Sequence, residues 1–320
     1  MSNANQGSTP GGNPGDMRRP GQHLMHRVTQ RLRPVKLTRY ATQTRNRVWR
    51  VVFALAFAAL ATTTARVALA TVRGQNLDGA TRFALSRGKH LFRGADAMAL
   101  DSISMKALVA LTVAVFLVAL LRRRWQLGAR VALLVAGANL STQVLKHWVL
   151  HRPDLGVDYA GLANSLPSGH STVAMSAALG IMLVAPLRAR SMAAFLGWAT
   201  ASFVGVSVML NEWHRLSDVL VAFLVAGIWG VLLAPRERVG RRFGHLHRVM
   251  LVGSASAALG GIGMLALAWP RIGGQPLREP ALRTLVAGDF GWLMAAGSVA
   301  LILGLSGLIL AIVNTQARAS

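Results

Sequence analysis

The stretch from Phe290 to Val313, FGWLMAAGSVALILGLSGLILAIV, contains no charged residue and decides the class of fold. A helix needs about 20 apolar residues to cross the hydrocarbon core of a bilayer. An uncharged run of this length predicts a membrane-spanning helix, because a surface helix of a soluble protein would keep a polar face. The sequence is therefore interpreted first as that of a membrane protein.

Further apolar stretches recur along the chain and predict an all-α fold, a polytopic membrane helix bundle. Six spans form a core over residues 51–233, and residues 249–320 supply two additional spans and a short C-terminal tail. Residues 1–50 are rich in Gly, Pro, Asn and Arg and predict a disordered basic cytoplasmic tail, and residues 234–248 predict a basic cytoplasmic loop. The eight predicted spans are Val51–Thr71, Ile103–Leu121, Leu127–Leu145, Ser171–Leu187, Met192–Leu210, Val219–Leu233, Val249–Trp269 and Phe290–Val313.

The distribution of charge predicts the orientation of these spans. With the N-terminal tail in the cytoplasm, the inner segments hold 22 of the 35 Lys and Arg residues and the outer segments hold 12, with Arg66 inside the first span. This excess follows the positive-inside rule and accounts for the net charge of +24 without a nucleic-acid partner. We therefore expect a multi-pass protein of the cell (inner/plasma) membrane. The absence of cysteine excludes a thiol nucleophile and a thiolate zinc site.

Three polar clusters lie at the ends of predicted spans three, four and six, and the topology places all of them on the extracytoplasmic side. In the second cluster, Gly169 allows close backbone approach and the start of a helix offers free N–H groups to a phosphate. Ser168 can add a hydroxyl donor, and His170 would point at the same anion. The clusters are Lys146 through Arg152-Pro153, Pro167-Ser168-Gly169-His170 and His214-Arg215-Leu216-Ser217-Asp218.

The first and third clusters also carry chemistry suited to phosphate. His214 and Asp218 are four residues apart, so on a helix the carboxylate can hold one imidazole N–H and direct the other ring nitrogen at a substrate. Lys146 offers a point charge and Arg152 a planar fork of donors for phosphate oxygens. Taken singly, each of these residues also has an ordinary structural explanation, as a helix cap or as a charge at the membrane edge.

In order and in placement the three clusters resemble the signature motifs of the type-2 phosphatidic acid phosphatase (PAP2) superfamily, over about Leu127 to Leu233. The resemblance implies an integral membrane lipid phosphatase that hydrolyses a phosphomonoester or diphosphate of an isoprenyl lipid or a glycerolipid. It implies a phosphohistidine intermediate, a lipid phosphate partner among membrane lipids, and no metal or other cofactor. The implied catalytic residues are His214 as nucleophile, His170 as general acid/base and Asp218 as the acid that orients His214; Lys146, Arg152, Ser168 and Gly169 are implied phosphate ligands.

Two departures from the family pattern leave alternatives open. Five residues instead of six separate Lys146 from Arg152, so either the last turn of the helix is distorted or His147 or His151 contributes. In the third motif Val208 occupies the position of an expected arginine. Arg215 is the nearest replacement as a phosphate ligand, and its alternative role is to face lipid headgroups.

Other functions and sites also follow from the sequence. A phosphotransferase would use the same histidine chemistry with a second lipid or sugar as acceptor, and an inactive PAP2-fold protein would bind or transport a lipid. The segment Arg73–Ser102 predicts a short amphipathic helix at the membrane interface. The acids Asp154, Asp158 and Glu212 match no metal motif and are interpreted as solvated loop carboxylates. The sequence indicates no oligomeric state.

Overall fold

The computed structural model describes residues 47–92, 125–157, 164–235 and 244–317, together with positions 110 and 113. All regular secondary structure in this part of the chain is helical, which confirms the predicted all-α class. These residues belong to the second of the two units into which the chain divides, Asn46–Ser320. Most of the predicted tail and nearly all of the second predicted span lie outside the described residues, and the predicted segment boundaries stay predictions.

The described helices follow the predicted spans closely. A 3-10 helix, Arg87–Phe92, continues from α2, and a π turn, Leu145–Val149, ends α3. In chain order the helices are α1 (Arg47–Ala70), α2 (Val72–Ser86), α3 (Trp125–Val144), α4 (Gly169–Val184), α5 (Arg190–Leu210), α6 (Leu216–Leu233), α7 (His245–Ile272), α8 (Glu279–Leu285) and α9 (Asp289–Ala317).

Five of the described helices are long and apolar enough to cross a membrane: α1, α5, α6, α7 and α9. Helix α4 is apolar but shorter, with 16 residues. Helix α3 has 20 residues, but Arg130, Asn139 and Gln143 reduce its hydropathy. The helices support the membrane-protein interpretation, whereas the count of six spans plus two stays a prediction.

Helix α6 lies at the centre of the bundle. Every residue from Leu216 to Gly227 is buried, and α3, α4 and α9 pack around the helix. Phe223 and Leu224 of α6 are fully enclosed with Met175 of α4. A polar side chain in the first turn of α6 is therefore inside the protein, where it needs hydrogen-bond partners.

Helices α7 and α9 pack against each other through glycine contacts. A Cβ atom at Gly304 would lie 2.3 Å from the amide nitrogen of Ala258, and one at Gly261 would lie 2.7 Å from the amide nitrogen of Leu301. Small residues allow helix backbones to approach closely in a membrane, where packing contributes much of the association energy. The last two long helices therefore form a closely packed pair.

Helix α2 is not the amphipathic surface helix that the sequence predicted. Its polar residues Gln75, Asn76 and Asp78 are all buried, and its apolar residues, such as Phe83, are buried as well. The polar side chains find partners on other segments: Gln75 Nε2 donates to the carbonyl of Pro153 at 3.0 Å. The interface prediction failed because α2 packs inside the bundle, mainly against α9 and α8. Residues 93–102 lie outside the described part.

Candidate active site

The three predicted clusters meet at one end of the helix bundle, where α3 ends and where α4 and α6 begin. The amide of Ser168 donates to the carbonyl of Asp218, in the first turn of α6, at 3.0 Å. The ring centroids of His170 and His214 are 6.4 Å apart. Asn164, just before the second cluster, donates to the carbonyl of Lys146 at 3.0 Å. The structure therefore brings together segments that are up to 72 positions apart in the chain.

His214 and Asp218 form a buried hydrogen-bonded pair. Nδ1 of His214 lies 3.1 Å from Oδ2 of Asp218, and the two residues are 8% and 1% exposed. The connection before α6 is fixed by its backbone, since the amide of His214 donates to the carbonyl of Val208 at 3.1 Å. An ionised carboxylate can only accept, so it favours the tautomer with the proton on Nδ1 and leaves a lone pair on Nε2.

Asp218 accepts two further hydrogen bonds on the same oxygen. The backbone amide of Arg215 donates to Oδ2 at 3.0 Å, and the hydroxyl of Ser165 donates to it at 2.5 Å. The guanidinium of Arg215 donates through Nη1 to the Ser165 hydroxyl at 2.7 Å. These donors hold the carboxylate in one orientation, because rotating it would break several bonds at once.

Ser168 is the N-cap of α4. Its hydroxyl oxygen accepts from the amide of Ser171 at 3.3 Å, which satisfies one of the amides that a helix start leaves without an internal partner. The amides of Gly169 and His170 belong to the same first turn and form the helix start to which the sequence assigned phosphate. Ser168 is fully buried, and the contact that the structure gives its hydroxyl oxygen is this capping hydrogen bond.

His170 lies between His214 and an aromatic side chain. Its ring centroid is 5.7 Å from that of Trp213 and it is half-buried, ahead of the apolar run that begins at Ser171. Burial, followed by the positive charges of His214 and Lys146, lowers the pKa of His170 below the usual histidine value. A lowered pKa keeps the neutral form well populated near neutral pH, and a proton then bound to His170 is transferred readily.

The first cluster contains a π turn, the distortion that its short spacing predicted as one of two alternatives; a contribution of His147 or His151 stays a prediction. The amide of Leu150 donates to the carbonyl of Leu145 at 2.8 Å, a five-residue step in place of the four of an α-helix. Asn164 also donates to the carbonyl of Leu150 at 2.6 Å. The last turn of α3 is therefore distorted, with Lys146 inside it and Arg152 on the extended chain beyond it.

The comparison with protein families covers the same part of the chain. Residues 127–238 match the family model of the PAP2 superfamily. The resemblance inferred from the three clusters is confirmed over this segment. Neither a curated protein nor a solved structure gave a significant match to the chain.

Within the PAP2 segment, the side chain of Arg215 is buried and does not face lipid headgroups. Arg215 is 3% exposed, and its side chain turns toward Ser165 and the Asp218 carboxylate. Val208 is packed in the core, so nothing at that position replaces the expected arginine side chain. Burial does not fit the alternative role at lipid headgroups, whereas a role of Arg215 in phosphate binding stays a prediction.

Three residues at the site were missed by the sequence analysis. Asn164 and Ser165 lie inside the PAP2 segment and bind the π turn and Asp218, but neither belongs to a recognised cluster. Asp78 lies outside the segment, on α2, and accepts from both the amide and the hydroxyl of Ser217. Burial, followed by the charge of Asp218, raises the pKa of Asp78 to about 6, although its hydrogen bond from Ser217 and the charges of Arg152 and Arg215 act in the opposite direction. No local pattern in the sequence identified Asp78.

The acids near the site have partners of their own. Glu212 has a φ of 57° and lies within 3.6 Å of Arg82 on α2 and 3.7 Å of Arg283 on α8. Asp154 accepts from the amide of Gly156 at 2.9 Å, and Asp158 lies outside the described residues. Glu212 was interpreted as a solvated loop carboxylate; it is instead half-buried and joins the loop before His214 to two other helices.

Proposed function

We propose that the protein is a membrane phosphatase that hydrolyses a phosphomonoester or diphosphate of a lipid through a phosphohistidine intermediate. The observation that carries this proposal is the buried His214–Asp218 pair with His170 6.4 Å from the His214 ring. The PAP2 match over residues 127–238 supports a phosphatase-type function independently of this geometry. The lipid class and the intermediate are parts of the proposal.

In the first step, Nε2 of His214 attacks phosphorus in line with the leaving group. The N–P bond forms as the bond from phosphorus to the leaving oxygen breaks, and protonated His170 gives its proton to that oxygen. Asp218 accepts from Nδ1–H throughout and stabilises the positive charge that develops on the ring, as the orienting acid does in other catalytic constellations.

In the second step, water attacks the phosphohistidine while neutral His170 takes a proton from it. The N–P bond breaks, the lone pair returns to Nε2 of His214, and inorganic phosphate leaves. Lys146, Arg152 and Arg215, with the helix start at Ser168 and Gly169, would bind the phosphate oxygens and stabilise the charge of the transition state.

An apolar groove next to the first cluster supports a lipid substrate. The groove has a volume of about 500 Å³, within the range typical of ligand pockets, and lies between α1 and the end of α3. His151, which lines it, directly precedes Arg152. A hydrocarbon chain in this groove would place an attached phosphate near the cationic residues. The lining is mostly apolar, with Ala61, Ala65, Leu69 and Leu145 among its residues, and it also includes Thr62 and Arg66.

Phosphate release by the purified protein tests the proposed function. We expect release from at least one member of a panel containing isoprenyl phosphates, isoprenyl diphosphates, phosphatidic acid and phosphatidylglycerophosphate, and equal release in the presence of a chelator. The reason is that His214, His170 and the cationic residues supply the nucleophile, the acid and the charge stabilisation themselves. Loss of activity in chelator, restored by one divalent ion, would contradict the mechanism. If phosphate leaves the substrate only when a second lipid or sugar is present, the protein is a phosphotransferase. Binding of the lipid without any turnover would indicate an inactive protein.

The side of the membrane on which the site lies is a separate part of the proposal. Because the chain has no cysteine, single cysteines placed at Gly161 and Gly240 are unique labels; both positions lie outside the described residues. We expect an impermeant thiol reagent to label the cysteine at Gly161 in intact cells and to label the one at Gly240 only after permeabilisation. The reverse pattern would place the site in the cytoplasm.

A further inference from the structure

Helix α2 attaches three different parts of the protein through three buried polar side chains. Gln75 donates to the carbonyl of Pro153, next to Arg152. Asn76 donates to the carbonyl of Gln275 at 2.8 Å and accepts from the amide of Leu277 at 3.2 Å, on the connection after α7. Asp78 contacts Ser217 in the first turn of α6. The polar residues of α2 can therefore be tested separately, since each holds a different segment.

Asp78 supplies an acceptor that the first turn of α6 lacks. The amide of Ser217 is one of the first amides of the helix, which have no carbonyl partner within it. It donates to Oδ1 of Asp78 at 3.2 Å, while the Ser217 hydroxyl donates to Oδ2 at 2.5 Å. Asp78 is 4% exposed, so water does not readily replace these contacts.

Ser217 lies between the two members of the proposed catalytic pair. It directly precedes Asp218, and His214 lies three residues earlier. Asp218 itself accepts from the amide of Arg215, so the first turn of α6 is held by one carboxylate of its own and by one from α2. If the contact with Asp78 is lost, the Ser217 amide is buried without its acceptor and the turn that carries Asp218 is free to shift.

We propose that Asp78 is a positioning residue for the His214–Asp218 pair and acts through its two hydrogen bonds to Ser217. The proposal rests on the proposed function, because it assigns Asp78 a role in the same reaction. The charged groups that face Asp78 are Asp218 on α6, Arg215 before it, and Arg152 after the π turn. Hydrogen bonding, and not the negative charge, is the property of Asp78 that holds the turn.

Four single variants separate these properties. Asp78→Ala removes both acceptors and should lower kcat about tenfold or more with little change in KM, because it disturbs the orientation of Asp218 and not phosphate binding. Asp78→Asn keeps an acceptor for the Ser217 amide and a group that can bond its hydroxyl, so kcat should stay within about threefold of wild type.

Ser217→Ala removes the hydroxyl contact alone and should have an intermediate effect on kcat. Asn76→Ala, the matched control on the same helix, should lower stability while kcat is retained.

The pKa of Asp78 gives Asp78→Asn a second readout. A folded pKa of about 6, above the usual value of 3.8, means that folding favours the uncharged side chain. In wild type this favourable contribution is complete below pH 3.8 and is lost as the pH rises toward 6. Asparagine is always uncharged, so the variant should unfold at the same or a higher temperature than wild type at pH 7.

A double-mutant cycle and amide exchange complete the test. Because the Ser217 hydroxyl acts only through Asp78, Asp78→Ala with Ser217→Ala should be no less active than Asp78→Ala alone. If the double variant loses activity by the product of the two single losses, the proposal is overturned. Full activity of Asp78→Ala, or inactivity of a stably folded Asp78→Asn, would overturn it as well. Hydrogen exchange in the peptide that contains Ser217 should be faster in Asp78→Ala than in Asn76→Ala. This measurement needs no turnover, so unchanged exchange overturns the positioning role even if the proposed function fails for other reasons.

Discussion

Replacing His214 by glutamine should reduce phosphate release by at least about 10³-fold, because glutamine offers no nitrogen lone pair to attack phosphorus. The amide of glutamine can still donate to Asp218, so the first turn of α6 should keep its hydrogen bonds. Release of phosphate from the best lipid of the panel, measured with protein in liposomes, gives the activity. Binding of the same lipid should be retained, since the variant leaves Lys146 and Arg152 in place.

Samples quenched in alkaline detergent test the intermediate directly, because a phosphohistidine survives in alkali and is lost in acid. Wild-type protein mixed with a radiolabelled lipid phosphate should carry an acid-labile label, and the His214→Gln protein should carry none. His245→Gln is a suitable control, because His245 is exposed at the start of α7. Turnover or labelling of His214→Gln comparable to wild type would show that another group attacks phosphorus.

Replacing Asp218 by asparagine should lower kcat by about 10² or more and leave KM nearly unchanged. Oδ2 of Asp218 accepts from His214, Arg215 and Ser165, and an amide oxygen cannot accept three bonds with the strength of a carboxylate. The variant also removes the negative charge that stabilises the ring after it has attacked phosphorus. Steady-state rates over a range of lipid concentrations give kcat and KM separately.

Two neighbouring variants show whether this loss is specific to Asp218. Ser165→Ala removes one of three donors and should lower kcat only by about tenfold or less. Arg215→Ala should lower kcat/KM by about a hundredfold if its guanidinium also binds the phosphate. Near wild-type kinetics of Arg215→Ala would restrict that residue to its contact with Ser165, and near wild-type kinetics of Asp218→Asn would contradict its assignment as the orienting acid.

The sequence predicted what depends on local spacing. Four residues separate His214 from Asp218, and the structure has them in hydrogen-bond contact. The expected shared helix face is wrong, because His214 lies in the loop before the N-cap Arg215 and the Asp218 carboxylate turns back toward the helix start to reach it. Ser168 was placed at the start of a helix, and it is the N-cap of α4. The long helices were identified from their apolar runs. This signal is also local, because a helix that crosses a membrane needs apolar side chains along its whole length. The assignments of Lys146, Arg152, Ser168 and Gly169 to phosphate remain predictions.

The contacts that the sequence did not predict join distant segments. Asp78 and Ser217 are 139 positions apart, and an aspartate on a short helix carries no sign of the partner that the fold will bring to it. Ser165 acquires its place between Asp218 and Arg215 only when α4 and α6 begin side by side. The short spacing from Lys146 to Arg152 predicted a distorted turn as one of two alternatives. The side chain of Asn164, which donates to the carbonyls of Lys146 and Leu150 at this turn, was not predicted.

The contacts between α2, α8 and the loop before His214 have a consequence for the order in which the site is completed during synthesis. Arg283 reaches Glu212, and residues 275–277 bind Asn76, yet both segments are translated after the whole of the PAP2 region. A nascent chain released before α8 would contain every proposed catalytic residue, but the loop that carries His214 would lack one of its ion pairs and α2 would lack one of its anchors. These contacts of Glu212 and Asn76 therefore form only after the connection to the last helix has been translated.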